Sequence, residues 1–213
     1  MDKPEHVVRR LLKVAGTTYA AEAGIRINDK PMPLFELLVL CMLASKPIDA
    51  SIAMRAAREL FEAGLRTPKA VLASDRRTMI SAFGRAHYVR YDESSATRLT
   101  DIAQLISDEY SGDLRELARG SQHDVAAAAQ KLKQFKGIGD TGADIFLREV
   151  QDVWTWARPH FDDRARAAAK RLRLPTDPAK LGDLAPRANA RLAAALVRVS
   201  LDDDVLHSVR APS

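Results

Sequence analysis

The segment best suited to chemistry is a glycine hairpin in the second half of the chain. Gly137, Ile138 and Gly139 join a stretch rich in Ala and Leu to a second amphipathic stretch that ends near Val150. Glycine allows backbone angles and close approaches that other residues disfavour, and the start of a helix presents free amides at the positive end of its dipole. We therefore predict a phosphate-binding hairpin, with Ile138 anchored in the core.

Two polar residues extend this predicted phosphate site. Lys136 lies just before the glycines and Thr141 just after them. Contacts to phosphates position a protein on nucleic acid without reading its sequence. The alternative is an ordinary connection between two helices, in which the glycines serve packing alone.

A pair of carboxylates follows about 20 residues later. Asp162 and Asp163 stand between Phe161 and Arg164, and apolar residues then recur at helical spacing up to Leu174. A carboxylate can stabilise a developing positive charge or activate water in the hydrolysis of a sugar bond. The alternative is that one aspartate simply caps the helix that begins here, and both roles can hold at once with one aspartate for each.

Together these two segments, FKGIGDTGA and FDDRARAAAKRLRLP, resemble the hairpin and aspartate loop of the endonuclease III-like superfamily of helix-hairpin-helix DNA glycosylases. Two weaker resemblances precede them in the family's order. One is the buried helix and loop formed by PLFELL, MLASK and Asp49, and the other is Phe83-Gly84-Arg85 with Tyr88. The similarity runs over about residues 32 to 175.

The resemblance implies an all-α, two-lobed helix-hairpin-helix glycosylase architecture. A helical barrel lobe would span residues 32–155, with the helix-hairpin-helix at about 125–150, and residues 1–31 and 156–213 would form the second lobe. Duplex DNA would lie in the cleft between the lobes, where the family flips its target base out of the stack. We expect a monomer.

The same resemblance assigns the catalytic carboxylate to Asp162. With this alignment Arg171 and Leu172 match the arginine and the apolar position that follow the family's aspartate. Asp163 is the rival.

The sequence also departs from the family at several positions. Thr141 stands where bifunctional members carry the lyase lysine, and Leu40 stands where adenine-excising members carry a glutamate, with Glu36 one turn earlier. Residues 156–213 contain no cysteine for an iron-sulfur cluster. Asp140 would oppose phosphate binding unless it turns away to cap the helix. We therefore expect a monofunctional glycosylase without a cluster or other cofactor; the hairpin leaves room for a monovalent cation as an alternative.

The predicted lesion pocket draws on two loops and on the segment before the aspartates. Aromatic and cationic side chains can stack on a flipped base or fill the gap that it leaves. Surface charge is the commoner explanation for the loop residues, and packing at the lobe interface explains the two tryptophans equally well. The candidates are Lys46, Arg85, His87, Tyr88, Trp154 and Trp156. We predict no metal site, because the five histidines lack ligand spacing.

Apolar residues recur at helical spacing along the whole chain, and alternating strand patterns are absent. Capping residues and the punctuation by Gly and Pro set the boundaries, with Asp49 or Ser51, Thr67 and Asp75 opening helices. The predicted helices span 4–23, 34–44, 49–63, a short segment from 68, 75–84, 92–110, 113–119, 124–134, 141–150, 163–172 and 188–200.

Composition is compatible with a nucleic-acid partner but does not prove one. Lys and Arg number 33 against 28 Asp and Glu, and residues 156–213 hold 11 against 7, which a solvated helical surface would also explain. The single cysteine, Cys41, lies in an apolar run and excludes a disulfide within the chain. No apolar run approaches the roughly 20 residues of a membrane span. We expect a cytoplasmic protein without a membrane partner, associated with the nucleoid if it is bacterial.

Three hypotheses follow. The first is a monofunctional DNA glycosylase that uses Asp162. The second is a duplex DNA-binding module that kept the fold and lost catalysis. The third is a helical domain for structure or protein interaction, in which the hairpin glycines only pack; binding that does not depend on salt would favour it.

Overall fold

The computed structural model describes residues 3–210, and its regular structure over that range is helical, which confirms the predicted all-α class. A 3-10 turn occupies Thr155–Ala157. The α-helices of the described range are α1 Pro4–Ala15, α2 Tyr19–Glu22, α3 Pro31–Ala44, α4 Ala50–Glu62, α5 Pro68–Leu72, α6 Arg76–Arg85, α7 Asp92–Tyr110, α8 Arg115–Gly120, α9 Val125–Leu132, α10 Asp140–Val150, α11 Asp163–Arg171, α12 Pro178–Asp183, α13 Asn189–Leu201 and α14 Asp203–Arg210. None of these helices is both long and apolar enough to cross a membrane.

The chain divides into two compact units. Unit 1 comprises Met1–Tyr19 and Leu147–Ser213, and unit 2 comprises Ala20–Phe146. The sequence analysis assigns residues 32–155 to one DNA-binding lobe and both termini to the other, and that assignment stays a prediction.

Unit 2 is built around α3. Every residue of this helix from Pro33 to Leu43 is buried, because its sequence is apolar on all sides apart from Glu36. Helices α4 and α7 pack against α3, while α5 and α6 pack against α7. Cys41 lies within this core and is 0% exposed.

Unit 1 is built around α13, which packs against α1, α11 and α14. Most buried residues of α11 and α13 are alanine, leucine or valine, and the small alanines allow close helix packing. The buried Asn189 donates from Nδ2 to the carbonyls of Gly182 and Ala185, at 3.2 and 2.7 Å. These bonds satisfy an amide that would otherwise be costly to bury.

Several helix starts lie where their capping residues predict them. The side chains of Asp49, Thr67 and Asp75 accept hydrogen bonds from backbone amides in the first turns of α4, α5 and α6. A cap satisfies amides that have no partner within the helix. This local chemistry is readable without knowledge of the tertiary structure.

The prediction of one helix over residues 4–23 is wrong. Helix α1 ends at Ala15, and Gly16 with Thr17 and Thr18 separates it from the short α2. Glycine and β-branched threonine are weak helix formers. The amide of Tyr19 donates to the carboxylate of Glu149 at 3.4 Å, a contact within unit 1 that the local sequence does not reveal.

Two helices near the C-terminus were not predicted. Helix α12 begins after Asp177, whose carboxylate accepts from the amide of Lys180 at 3.0 Å. Helix α14 begins after Asp202, which accepts from the amide of Asp204 at 2.8 Å. Both segments are short and rich in Asp, and such composition is also typical of loops.

Candidate nucleic-acid interface and carboxylate site

The hairpin lies in unit 2 and connects α9 to α10, a helix whose last residues, from Leu147, belong to unit 1. Gly137 adopts φ +93°, a left-handed conformation that favours glycine. Ile138 is 4% exposed, as predicted for the anchor of the turn, and its amide donates to the carbonyl of Phe135 at 3.0 Å. Helix α10 then starts at Asp140. The buried side chain of Ile138 thus anchors the hairpin directly before the start of α10.

The two hairpin glycines have different surroundings. A Cβ at Gly137 would lie 2.8 Å from Cδ of Arg98 and 3.2 Å from Cγ of Met42, so a side chain here would displace these two neighbours. A Cβ at Gly139 would meet no atom within 4 Å. Gly139 therefore faces open space, and its lack of a side chain leaves the start of α10 accessible to a partner.

The first turn of α10 also contacts the end of α3. A Cβ at Gly142 would lie 2.6 Å from Oγ of Ser45, whose hydroxyl donates to the carbonyl of Cys41 at 2.6 Å. Lys46, one of the predicted pocket residues, follows Ser45 directly. The sequence-predicted hairpin and loop thus meet within unit 2.

Acidic residues accompany both lysines of the hairpin. Nζ of Lys133 lies 2.9 Å from Oδ1 of Asp140, and Nζ of Lys136 lies 3.1 Å from Oδ2 of Asp101. The side chain of Asp140 is 88% exposed, and Thr141 is exposed beside it. Asp140 therefore turns toward Lys133, which reduces but does not remove the negative charge near the predicted phosphate site.

Three of the predicted pocket residues in unit 2 lie at the surface or partly exposed. Nζ of Lys46 lies 5.9 Å from the centre of the Tyr91 ring, in the range of a cation–π contact. Arg85 is exposed and pairs with Glu59, with 2.5 Å from Nε to Oε2. His87 is exposed and has φ +58°.

Tyr88 lies in the core, unlike the other loop candidates. Its side chain is fully buried, its ring centre lies 5.3 Å from that of Phe83, and its hydroxyl lies 3.4 Å from the carbonyl of Leu43. Burial raises the pKa of this phenol. The aromatic ring thus fills space inside unit 2, and a role for Tyr88 at a flipped base stays a prediction.

Asp162 caps α11 in unit 1, which confirms one of the two roles considered for the aspartates. Its Oδ1 accepts from the amide of Ala165 at 2.8 Å, and its Oδ2 accepts from Nη1 of Arg148 at 2.7 Å. The side chain is only 7% exposed. Asp163 is 96% exposed and lies 3.3 Å from Arg166. Of the two, Asp162 is the carboxylate in a structured environment.

Arg148 is the partner that sequence reasoning missed. Its side chain is 3% exposed, and its guanidinium lies 5.4 Å from the ring centre of Tyr19 and 3.9 Å from Oε1 of Glu149. Its Nε and Nη2 have no hydrogen-bond acceptor within residues 3–210. The available signal was a charged pair, Arg148-Glu149, inside the apolar stretch from Phe146 to Val150.

The loop before Asp162 is fixed by a buried glutamine. Nε2 of Gln151 donates to the carbonyl of His160 and Oε1 accepts from its amide, both at 2.9 Å. These bonds hold the backbone two residues before Asp162.

Trp154 and Trp156, two of the predicted pocket residues, stack with ring centres 5.3 Å apart. Trp154 is buried and Trp156 is half-buried. The two rings therefore pack against each other.

The other positions compared with the family are buried or paired with a neighbouring side chain. Leu40 is fully buried, and Glu36 is buried and lies 2.5 Å from Nε of Arg66. Leu172 is buried at the end of α11, and Arg171 pairs with Asp203 at 2.6 Å. Over the described range the structure contains no group of three or more His, Cys, Asp or Glu residues that could hold a metal ion.

The chain is all-α and carries a glycine hairpin before an amphipathic helix, and comparison with solved structures finds a similar fold. The chain is similar to endonuclease III in a non-covalent DNA complex, with a TM-score of 0.54, and in a trapped covalent DNA intermediate with an estranged adenine, with a TM-score of 0.50. Identity is 16% in both cases, over 93% of this chain and 86% of the other. This likeness shows the fold. No protein-family model matches the sequence, and no curated protein does either.

Proposed function

We propose that this protein binds duplex DNA through its hairpin and hydrolyses the N-glycosidic bond of a damaged base that has been flipped out of the helix. The observation that carries the proposal is the fold, which is shared with endonuclease III over 93% of the chain. Both solved relatives are described as DNA complexes.

DNA binding is supported by the form of the hairpin. The amides at the start of α10 have no acceptor within the helix, and the helix dipole favours an anion there. Because Gly139 has no atom within 4 Å of its Cβ position, a DNA phosphate can approach the backbone closely. Such a contact fixes the position of the protein on DNA for any sequence.

The proposed chemistry assigns one role to Asp162. As the bond between the base and the sugar breaks, positive charge develops on the sugar, and the carboxylate stabilises that charge. The oxygen of a water molecule then bonds to the sugar carbon that has lost the base. One proton of this water is transferred to the departing base, which leaves a hydroxyl group on the sugar. Thr141 has no amine with which to form a Schiff base, so the proposal includes no cleavage of the DNA strand. The protein acts as a monomer and uses no cluster or metal in this scheme.

The test is base release from a panel of duplexes that carry oxidised, alkylated, deaminated or mismatched bases. Heat or alkali converts the abasic product into a strand break that gels detect. Asp162→Asn should abolish release, whereas Asp163→Asn should retain it. Release that persists in Asp162→Asn and stops in Asp163→Asn would reassign the carboxylate, and release from no duplex would remove the glycosylase function.

A second candidate is a DNA-binding protein without catalysis. The observation that favours it is the engagement of both Asp162 oxygens, by Arg148 and by the amide of Ala165, in a side chain that is 7% exposed. This candidate predicts salt-dependent DNA binding that is unchanged in Asp162→Asn, with no base release from any duplex. Comparing binding and release in the same variant separates the two candidates.

A further inference from the structure

Arg98 lies against the hairpin although it is about 40 residues distant in sequence. It belongs to α7 and is partly exposed. A Cβ built at Gly137 would lie 2.8 Å from Cδ of Arg98 and 3.4 Å from its Nε. The end of the Arg98 side chain, from Cδ to Nε, therefore lies next to the hairpin backbone at Gly137.

Arg98 differs from the lysines near the hairpin in its polar contacts. Lys133 and Lys136 of the hairpin segment pair with Asp140 and Asp101. Arg98, in contrast, has no carboxylate within ion-pair distance in the described part of the chain, and its buried Nη1 lacks a hydrogen-bond acceptor there. Burying a donor without an acceptor is unfavourable. The side chain is partly exposed, so the guanidinium can turn toward an anionic ligand that supplies the acceptor.

We propose that Arg98 is a DNA-binding residue that contacts the same backbone phosphate as the hairpin amides. A guanidinium offers a planar set of donors that matches the oxygens of a phosphate, and the hairpin amides converge on the same kind of group. The inference rests on the DNA binding of the proposed function and is independent of base release. The competing explanation is that Arg98 only supports Gly137 by packing.

The experiment measures binding to an undamaged duplex by fluorescence anisotropy over about 50 to 200 mM salt. It compares the wild type with Arg98→Met, Arg98→Lys and Arg9→Met. Arg9 is an exposed residue of α1 in unit 1, so Arg9→Met makes the same chemical change far along the sequence from the hairpin. Urea unfolding of each variant reports whether the fold is intact.

Arg98→Met should weaken binding about tenfold at low salt and reduce the slope of log affinity against log salt by about 0.9, the loss of one phosphate contact. Arg98→Lys should keep the slope and show intermediate affinity, because it keeps the charge and loses the planar donors. Arg9→Met should bind within about twofold of the wild type.

Three outcomes would overturn the inference. Equal affinity and slope in Arg98→Met and Arg9→Met would show that Arg98 makes no phosphate contact. A loss of affinity with an unchanged slope and a lower urea midpoint would assign Arg98 to packing. If the wild type itself binds no duplex, both the proposed DNA binding and the phosphate contact of Arg98 are refuted.

Discussion

Asp162 and Arg148 form a buried ion pair within unit 1. Oδ2 of the carboxylate and Nη1 of the guanidinium are 2.7 Å apart, and the two side chains are 7% and 3% exposed. Since Oδ1 of Asp162 also caps α11, one carboxylate both starts this helix and partners a buried cation at the end of α10. Asp162 therefore has a structural role whether or not it has a catalytic one.

Asp162→Ala should lower the free energy of unfolding by about 3 to 5 kcal/mol, because it leaves the charge of Arg148 buried without its partner, and loss of the cap contributes about 1 kcal/mol of this. Urea unfolding measures the change. Asp163→Ala is the matched control and should stay within about 0.5 kcal/mol. Adding Arg148→Met to Asp162→Ala should recover part of the loss, and a strictly additive double variant would contradict the pairing.

Gly137→Ala should destabilise the protein by about 1 to 3 kcal/mol, because the new methyl group meets Arg98 and the backbone conformation at φ +93° disfavours a side chain. Gly139→Ala should change stability much less, since its Cβ would enter open space. The same methyl group at position 139 should weaken DNA binding severalfold by obstructing the phosphate. Equal stability losses in the two variants would contradict this distinction.

Asp140→Asn should strengthen DNA binding by about threefold to tenfold at low salt. The substitution removes a carboxylate, 88% exposed, from the first turn of α10 and releases Lys133 from its ion pair. Anisotropy titration measures the affinity. Asp108→Asn, an exposed position on α7, controls for the change in net charge. Binding that is no stronger than in this control would argue against a phosphate at the hairpin.

Tyr88→Phe should reduce the sensitivity of the fold to alkali. Burial raises the pKa of Tyr88 above the ordinary value of 10.0, so the unfolded chain releases the phenolic proton at a lower pH than the folded chain. The contribution of Tyr88 to the free energy of unfolding is therefore fully present below pH 10.0 and is lost as pH rises through the pKa of the folded state. Phenylalanine removes this loss. Because the hydroxyl contacts are long, at 3.4 Å, Tyr88→Phe should cost at most about 1 kcal/mol at neutral pH.

Urea unfolding at about pH 8 and about pH 11 tests this prediction. The stability lost between the two conditions should be smaller in Tyr88→Phe than in the wild type. Tyr110, whose pKa is also raised by burial, titrates in both proteins and cancels in the comparison. An equal loss in both would mean that Tyr88 does not carry the effect.

Local chemistry explains what the sequence predicted well. The starts of α4, α5 and α6 follow from capping side chains that lie within three residues of the amides they bind. The hairpin is equally local, because glycine spacing and the buried Ile138 determine it. The all-α class follows from helical periodicity along the chain.

Tertiary contacts explain what could not be predicted. Arg148 is noticeable in the sequence as a charged residue in an apolar stretch, but only its packing against Asp162 and Tyr19 gives it a role. Arg98 contacts the hairpin from another helix, and Tyr88 is buried although it lies in a polar loop sequence. Each of these placements depends on residues far away in the chain.

Because Cys41 is buried, the reactivity of its thiol is a probe of local unfolding. As the only cysteine of the chain, 0% exposed in the last turn of α3, it is shielded from a thiol reagent while the surrounding core is closed. Its labelling rate therefore measures how often the core of unit 2 opens. Comparing that rate with the loss of total helical signal in urea distinguishes an unfolding event confined to residues 20–146 from one that includes unit 1.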